Sequence, residues 1–163
     1  MSAHRPVHST DVTQVTIRAM RSSDLDAVVE LDASVFGEVR RAYFERRLSS
    51  LEGSGPAART IGLVAEMPGA PAKLVGLVMG TLTSGEFGFA QVTALVDSIA
   101  VHPSQQRKGI GRQLAAAFLE ESAALGARDV YTLVNWNAWD MLKFFDSLGF
   151  ALASTVPLRR QIG

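Results

Sequence analysis

The stretch that decides the fold is Val96-Asp97-Ser98-Ile99-Ala100-Val101-His102-Pro103-Ser104-Gln105-Gln106-Arg107-Lys108-Gly109-Ile110-Gly111-Arg112-Gln113-Leu114. An apolar, β-branched run typical of a strand ends at Val101, a turn with a proline follows, and a helical pattern begins at the glycines. The first turn of a helix has amide groups without intrahelical acceptors and carries the positive end of the helix dipole. The stretch therefore predicts an anion site, supported by small residues and nearby cations: Gly109, Gly111, Arg107, Lys108 and Arg112.

Two common phosphate-binding motifs do not fit this stretch. A dinucleotide fingerprint needs a third glycine, and that position is Leu114. A Walker loop needs Gly-Lys followed by Ser or Thr, which is absent here. The anion site therefore belongs to another class of loop.

Outward from this stretch, hydrophobic periodicity predicts the element order β-α-α-β-β-β-α-β-α-β. The first strand starts at Val15, and two strand-like runs, 61–66 and 73–82, flank a proline- and glycine-rich turn typical of a hairpin. A terminal strand is expected from Phe150 onward, although it contains Pro157. This order predicts an α/β fold with one mixed sheet.

Length and composition limit the number of domains and the kinds of partner and metal site that can be expected. The 163 residues suit a polar tail, residues 1–14, followed by one domain over residues 15–163. Lysine plus arginine equals aspartate plus glutamate, 16 each, so no net field favours nucleic acid or a membrane surface. There is no cysteine and the three histidines lack ligand spacing, so no metal site is expected. Without a signal peptide pattern, a cytoplasmic location is expected.

The pattern Gln106-x-x-Gly109-x-Gly111 between strand and helix resembles the acyl-CoA loop of the GNAT superfamily of N-acetyltransferases. The upstream run 99–103 and the closing run Phe144-Phe145-Asp146-Ser147-Leu148-Gly149-Phe150 are also similar to that family. The resemblance implies the GNAT acyl-CoA N-acyltransferase fold with a splayed central strand pair. It further implies acetyl-CoA as co-substrate, a small-molecule or peptide amine as acceptor, and a homodimer.

Carried over by position, the resemblance assigns the cofactor contacts. The main chain of the strand before the loop would pair with the pantetheine arm, and the loop would hold the pyrophosphate. An asparagine that enters the last helix, Asn137 with Asn135 as a competitor, would contact the pantetheine or its binding segment. The implied cofactor residues are Ile99, Ala100, Val101, Gln106, Arg107, Lys108, Gly109, Ile110, Gly111, Arg112, Asn137, Phe144 and Phe145.

Catalysis by such an enzyme needs a base, because an alkylamine near neutral pH is mostly protonated. Strand alternation predicts Asp97, Ile99 and Val101 on one face, which would place Asp97 near the acyl carbon. Asp97 is the candidate base; the alternative is recognition of a cationic substrate or capping of a local turn. One backbone N–H of this strand would stabilise the oxyanion.

One position departs from the family. Relatives commonly place a thiolate-protonating tyrosine where this chain has Phe145, which has no proton to give. Tyr131 is the weak substitute candidate; otherwise the thiolate leaves unassisted. Two alternatives remain open: a regulatory domain that binds acyl-CoA without transfer, and an enzyme that uses a longer acyl-CoA.

Two further clusters have a functional and a structural interpretation. The arginines of the second helix, Arg40, Arg41, Arg46 and Arg47, would attract an acidic acceptor or form a solvated face with glutamate partners, and the second is favoured. Trp136 and Trp139 would line an acceptor pocket or pack in the core, and the core is favoured. The pattern does not identify the acceptor.

Overall fold

The computed structural model describes residues 14–52, 58–69, 71–84 and 90–162. The predicted tail lies outside the described residues except for Gln14. The chain forms two compact units, Met1–Leu133 and Val134–Gly163. The elements described are β1 (Thr16–Ala19), α1 (Leu25–Phe36), α2 (Arg41–Glu52), β2 (Ala58–Met67), β3 (Lys73–Ser84), β4 (Val92–Val101), α3 (Ile110–Ala124), β5 (Asp129–Thr132) and α4 (Trp139–Asp146).

The first unit holds a mixed five-stranded sheet in the order β1-β2-β3-β4-β5. The first four strands pair antiparallel, and β2 and β3 form the predicted hairpin with Met67 opposite Lys73. β5 pairs parallel with β4 because α3 connects the two strands as a crossover. The mixed α/β fold class expected from the sequence is confirmed.

Each face of this sheet carries its own apolar core. On one face, Ile110, Leu114 and Phe118 of α3 are fully buried in a cluster with residues of β2, β3 and β4. On the other face, Val28 of α1 and Phe44 of α2 are fully buried in a second cluster. Burial of each large apolar side chain contributes about 1.5–3 kcal/mol. The amphipathic period of the helices therefore fixes which side of the sheet each helix covers.

A β-bulge interrupts the β3–β4 ladder at Asp97. Met79 lies opposite Ser98 and Gly80 lies opposite Val96, so Asp97 is an extra residue without a cross-strand partner. At this point β3 approaches β4 very closely. A Cβ on Gly80 would lie 2.3 Å from the carbonyl oxygen of Leu95 and 2.5 Å from Cζ of Phe118. The bulge therefore requires glycine at position 80.

The bulge corrects the predicted side-chain alternation. Ile99 and Val101 pack against the cluster under α3, whereas Asp97 contacts Arg47 of α2 on the opposite face. The prediction that Asp97, Ile99 and Val101 share a face is therefore wrong, because the extra residue shifts the period of two by one position. Asp97 and its neighbour Ser98 both face the helices α1 and α2.

The second unit contains α4 and the end of the chain. Phe145 is buried and makes edge-to-face contacts with Phe144 and Phe150, at centroid distances of 5.2 and 5.1 Å. The predicted terminal strand is wrong: residues 150–162 form no strand. A strand needs a ladder partner, and Pro157 lacks an N–H to donate. Four apolar side chains of this segment are more than 80% exposed: Leu152, Val156, Leu158 and Ile162.

Candidate active site

The loop between β4 and α3 has the geometry of an anion site. Arg107 and Gly109 adopt positive φ angles of 63° and 80°, and Gly109 is the N-cap of α3. The first helical hydrogen bond runs from the Gln113 N–H to the Gly109 carbonyl, at 3.1 Å. The amides of Ile110 and Gly111 precede that bond, at the positive end of the helix dipole. Successive amides in such a turn form a concave nest for an anion.

The side chains of this loop divide into anchors and exposed cations. Gln106 donates from Nε2 to the carbonyl of Val101 at 3.0 Å, which ties the loop to the end of β4. Lys108 donates from Nζ to Oε1 of Gln105 at 3.0 Å. Arg107, Lys108 and Arg112 are exposed, so their positive charge lies at the surface of the loop. The predicted pyrophosphate residues 106–112 are therefore contiguous around one helix start.

The strand before the loop is open along one edge. Among the described residues, β5 pairs with β4 only from Thr93 to Val96, and Val96 also accepts a hydrogen bond from the Thr132 hydroxyl at 3.3 Å. β3 continues to pair with β4 as far as Val101. Alternate amides of residues 97–101 point toward the β5 side, beyond the last β5 partner. This short pairing matches the expected splayed central strand pair, and it places Ile99, Ala100 and Val101 on the open stretch.

Asp97 forms a three-residue polar cluster with Arg47 of α2 and Thr81 of β3. The guanidinium of Arg47 donates from Nη2 to Oδ2 of Asp97 and to the Thr81 hydroxyl, the latter at 2.8 Å. The Thr81 hydroxyl in turn donates to the same Asp97 oxygen at 3.1 Å. The side chain of Asp97 remains 22% exposed. The cluster therefore holds a carboxylate at the surface of the α1–α2 face rather than in the core.

A second cluster joins α1 to the start of α2 beside Ser98. Arg40 donates from Nε and Nη2 to the fully buried carboxylate of Asp32, at 2.8 and 2.5 Å. Its Nη2 also approaches the Ser98 hydroxyl at 3.4 Å, and its guanidinium lies 5.0 Å from the ring centroid of Phe36. Such bidentate, stacked geometry fixes the arginine in place.

These contacts correct the favoured interpretation of the arginine-rich helix. A solvated face with glutamate partners is wrong for Arg40 and Arg47, because both bind aspartates on other elements. Arg41 pairs with Asp26 of α1 at 2.5 Å and approaches Glu45 only at 3.8 Å. The pairings span up to 50 residues of sequence, so helical spacing does not reveal them.

Tyr43 is a residue of this face that the sequence pattern missed. Burial raises the pKa of its phenol above the ordinary value, and the negative charge of Asp97 adds to that effect while Arg47 opposes it. Its ring lies 5.2 Å from the guanidinium carbon of Arg40. Tyr43 is therefore a protonated hydroxyl in the electrostatic reach of Asp97. Its helical spacing within α2 is the only sequence signal, and that signal indicates packing.

Tyr131, the candidate acid, lies on β5 in register with Leu95, which itself lies opposite Thr81. Residues paired in register point to the same face of a sheet, so Tyr131 lies on the face that carries Asp97. In the second unit, Phe144 and Phe145 pack on each other, and Asn137 is exposed. The N-cap of α4 is Ala138, which makes no side-chain capping bond.

The tryptophans correct another interpretation. Trp136 and Trp139 are 81% and 65% exposed, so the prediction that they pack in the core is wrong. Over the ranges that the structure describes, no group of three or more histidine, cysteine, aspartate or glutamate residues is arranged to hold a metal ion. Over the same ranges, no helix is both long and apolar enough to cross a membrane.

Comparison with known structures identifies proteins with the same fold. AAC(6')-Iy in complex with the bisubstrate analogue CoA-S-monomethyl-acetylneamine superposes with a TM-score of 0.75, at 18% identity over 92% of this chain and 99% of that chain. A transcriptional regulator from Bacillus halodurans C-125 gives 0.74, at 23% identity over 91% and 100%. A ribosomal-protein-alanine N-acetyltransferase from Brucella melitensis biovar Abortus 2308 gives 0.70, at 20% identity over 92% and 100%.

Sequence comparison gives the family directly. A search of curated protein sequences found no match. The profile of the acetyltransferase (GNAT) domain family matches residues 59–152, more than half of the chain. That range includes the bulged strand, the anion loop and the phenylalanine cluster. The chain belongs to the GNAT family of acetyltransferases.

Proposed function

We propose that this protein transfers an acetyl group from acetyl-CoA to a primary amine by direct attack in a ternary complex. The observation that carries the proposal is the arrangement along β4. An anion nest follows the strand, its edge is open over residues 97–101, and a partly exposed carboxylate lies at the bulge. The family supplies the class of enzyme, and the acceptor class and the residue roles are proposals.

The chain offers a fitting site for the donor. The amides around Gly109, with Arg107 and Lys108 beside them, would hold the pyrophosphate. The main chain of Ile99 and Val101 would bind the pantetheine arm as an added strand, because that edge extends beyond β5. Asn137, Phe144 and Phe145 stay proposed contacts on the second unit. No metal is needed for this chemistry.

In the proposed reaction, the amine nitrogen forms a bond to the thioester carbonyl carbon, and the carbon–sulfur bond breaks. The amine loses one proton and the thiolate gains one. A backbone N–H on the open edge of β4 would stabilise the oxyanion. With no cysteine in the chain, a cysteine-linked acyl-enzyme is excluded.

We propose that Asp97 is the general base that accepts the proton of the amine, directly or through water. Its carboxylate has a solvent-facing part, whereas the carboxylate of Asp32 beside Ser98 is fully buried and bound bidentately by Arg40. The proton for the thiolate is assigned to Tyr131, which lies on the same sheet face. A thiol pKa near 8.5 makes the thiolate a fair leaving group even without a proton donor. Tyr131 should therefore contribute less to the rate than Asp97.

A second candidate function is an acyl-CoA-binding domain without transfer. The observation that favours it is Phe145, which is buried among phenylalanines where relatives commonly place a proton-donating tyrosine. Such a domain would bind CoA through the same loop and release no thiol with any amine. A longer acyl-CoA is the remaining variant of the enzyme hypothesis.

The test is thiol release from acetyl-CoA with a panel of amines, followed from pH 6 to 9. Asp97→Asn should lower kcat by about 100-fold, because a positioned general base contributes at least this much. Tyr131→Phe should lower kcat by a smaller factor. Calorimetric titration with CoA should give unchanged affinity for both variants.

Asp129→Asn is the matched control, since Asp129 is an exposed β5 residue that binds Gln91 rather than the cluster. Full activity of Asp97→Asn at every pH would contradict the base assignment alone. CoA binding without thiol release across the whole panel would contradict the transfer reaction and favour the binding domain.

A further inference from the structure

We propose that Arg47 selects acceptors that carry a carboxylate beside the amine they offer. On this view the acceptor is a zwitterion, such as an amino acid or a peptide with both termini close together, rather than a polyamine or another polycation. The inference rests on the proposed function, because it treats the face around Asp97 as the place where the amine binds. It adds the chemical class of the acceptor.

Aspartates on the α1–α2 face are already paired with arginines. Each of the three aspartates that contact α2 or its first turn is matched by one arginine. The carboxylates of Asp32 and Asp97, which lie against the sheet, are therefore each paired with an arginine before an acceptor binds. The pairs are Asp26 with Arg41, Asp32 with Arg40, and Asp97 with Arg47.

The guanidinium of Arg47 has donor capacity left. Its Nη2 serves both Asp97 and Thr81. Its Nε is buried and has no hydrogen-bond partner among the described residues. The side chain of Arg47 is 20% exposed, so the carboxylate of a bound acceptor would reach the guanidinium from its solvent-facing side.

An incoming amine would meet both members of the Asp97–Arg47 ion pair. An ammonium group that approaches Asp97 also approaches Arg47, which already occupies Oδ2 of that carboxylate. A simple amine therefore meets a like charge. An acceptor with its own carboxylate places a negative group on Arg47 while its amine takes Asp97. The two charges of the protein and the two charges of the acceptor then alternate in sign, and binding leaves the net charge of the site unchanged.

A zwitterionic acceptor would distinguish this protein from several proteins of the same fold. Three of the superposed structures are named aminoglycoside acetyltransferases, and aminoglycosides are polycations. Their identity to this chain is 17–18%, which shows a common fold only. The paired charges around Arg47 argue for a different acceptor class on the same fold.

The test compares acceptors in pairs that differ only in the carboxylate. Suitable pairs are alanine and alaninamide, phenylalanine and phenylalaninamide, and alanylalanine and its C-terminal amide, with spermidine and kanamycin as polycations. The ratio of kcat/KM for acid over amide is measured for the wild type, Arg47→Gln, Arg47→Lys and Arg46→Gln. Comparing this ratio between variants cancels the different basicity of the two amines and any general loss of activity.

The wild type should use acids in preference to polycations. Arg47→Gln should lower the acid-to-amide ratio about tenfold or more, mainly through KM, since a charge-assisted hydrogen bond is lost. Arg47→Lys should give an intermediate ratio, because the charge remains and the fork geometry does not. Arg46→Gln should leave the ratio unchanged, because Arg46, the residue before Arg47 in α2, is exposed to solvent. An unchanged ratio in Arg47→Gln, or a wild-type preference for spermidine or kanamycin, overturns the inference.

A binding measurement keeps this inference apart from the transfer reaction. The same acceptor pairs are titrated calorimetrically into CoA-loaded protein. Preferential binding of the acid that disappears in Arg47→Gln supports the inference even if no acetyl group moves, which would contradict only the transfer reaction. Absence of any preference for the acid in this titration overturns the inference even where amides are acetylated.

Discussion

At the scale of single residues, the charged contacts of this protein join elements that are distant in sequence. Asp24 lies just before α1 and accepts two hydrogen bonds from Arg18 of β1, at 2.8 and 2.9 Å, and one from the Arg21 amide at 2.8 Å. Arg18 also donates to Glu66 of β2 at 2.6 Å. Asp24 therefore fastens the start of α1 to the first two strands, and its side chain is only 10% exposed.

This contact predicts a pH dependence of stability. The hydrogen bond from Arg18 lowers the pKa of Asp24 below its ordinary value, against the opposing effect of burial. A group with a lowered pKa stabilises the folded state above its ordinary value and loses that contribution as pH falls through the folded pKa. Asp24→Asn should therefore destabilise the protein at pH 7, and the difference from the wild type should shrink below about pH 4. Urea unfolding at several pH values measures it.

The control is again Asp129→Asn, whose carboxylate lies on the exposed edge strand. A constant difference between wild type and Asp24→Asn from neutral to acid pH would contradict the assigned role of the carboxylate charge. Residue identity at 18 and 24 is readable from the sequence, but their contact is not, because it depends on how the first turn before α1 folds back onto β1.

At the scale of elements, the loop before α3 and the bulge in β4 together form the candidate site. The loop follows from local sequence, because glycine at position 109 permits the positive φ of 80° that starts the helix. The bulge depends on a long-range contact, since Gly80 of β3 makes room for Leu95 and Phe118. Local pattern therefore predicts the donor site and misses the side chains opposite it.

Two glycines with the same backbone strain allow a matched test of the loop. Gly109 caps the start of α3 at φ 80°, and Gly37 caps the end of α1 at φ 76°. Gly109→Ala and Gly37→Ala should each lower the free energy of unfolding by about 1–2 kcal/mol, the cost of alanine in the left-handed region. Only Gly109→Ala should weaken CoA binding, because only that residue shapes the anion nest.

The measurement pairs urea unfolding with calorimetric titration of CoA. Gly37 is a suitable reference because a Cβ there would meet nothing within 4 Å, so its substitution tests backbone strain alone. Equal CoA affinity in the two variants would mean that the loop does not hold the pyrophosphate.

At the scale of the whole molecule, the end of the chain presents apolar side chains without a strand. Phe150, Leu152, Val156, Leu158 and Ile162 all occupy even positions, which is the period of one face of an extended segment. The last four are each more than 80% exposed. Exposed apolar surface of this kind marks interaction sites. The expected homodimer therefore stays a prediction with a defined segment to test.

Sedimentation velocity tests that prediction. The full chain should sediment as a dimer, and the double variant Leu152→Ser with Leu158→Ser should sediment as a monomer, because the apolar face is lost. The double variant Arg159→Gln with Arg160→Gln is the control, since it changes neighbouring exposed residues and leaves the apolar ones. A monomeric full chain would contradict the expected dimer.

The sequence by itself determined the features that depend on neighbouring residues. The glycines after β4 predict a helix start with free amides, and this local geometry is present at Gly109. The hairpin of β2 and β3, the order of the elements up to α4 and the family follow from patterns of the same short range. In each case the physical cause lies within a few residues: backbone strain, turn chemistry or the period of apolar side chains.

Only the tertiary structure decided which side chains face one another. The bulge at Asp97 shifts the alternation of β4 by one residue, since Gly80 has no side chain to collide with Leu95 and Phe118. The shift brings Asp97 to Arg47, which lies 50 residues earlier, and no local spacing encodes that pair. The predicted terminal strand does not form at residues 150–162, because alternation of apolar residues alone does not supply a neighbouring strand to pair with. Contacts between distant segments depend on register and packing, and those are properties of the folded chain.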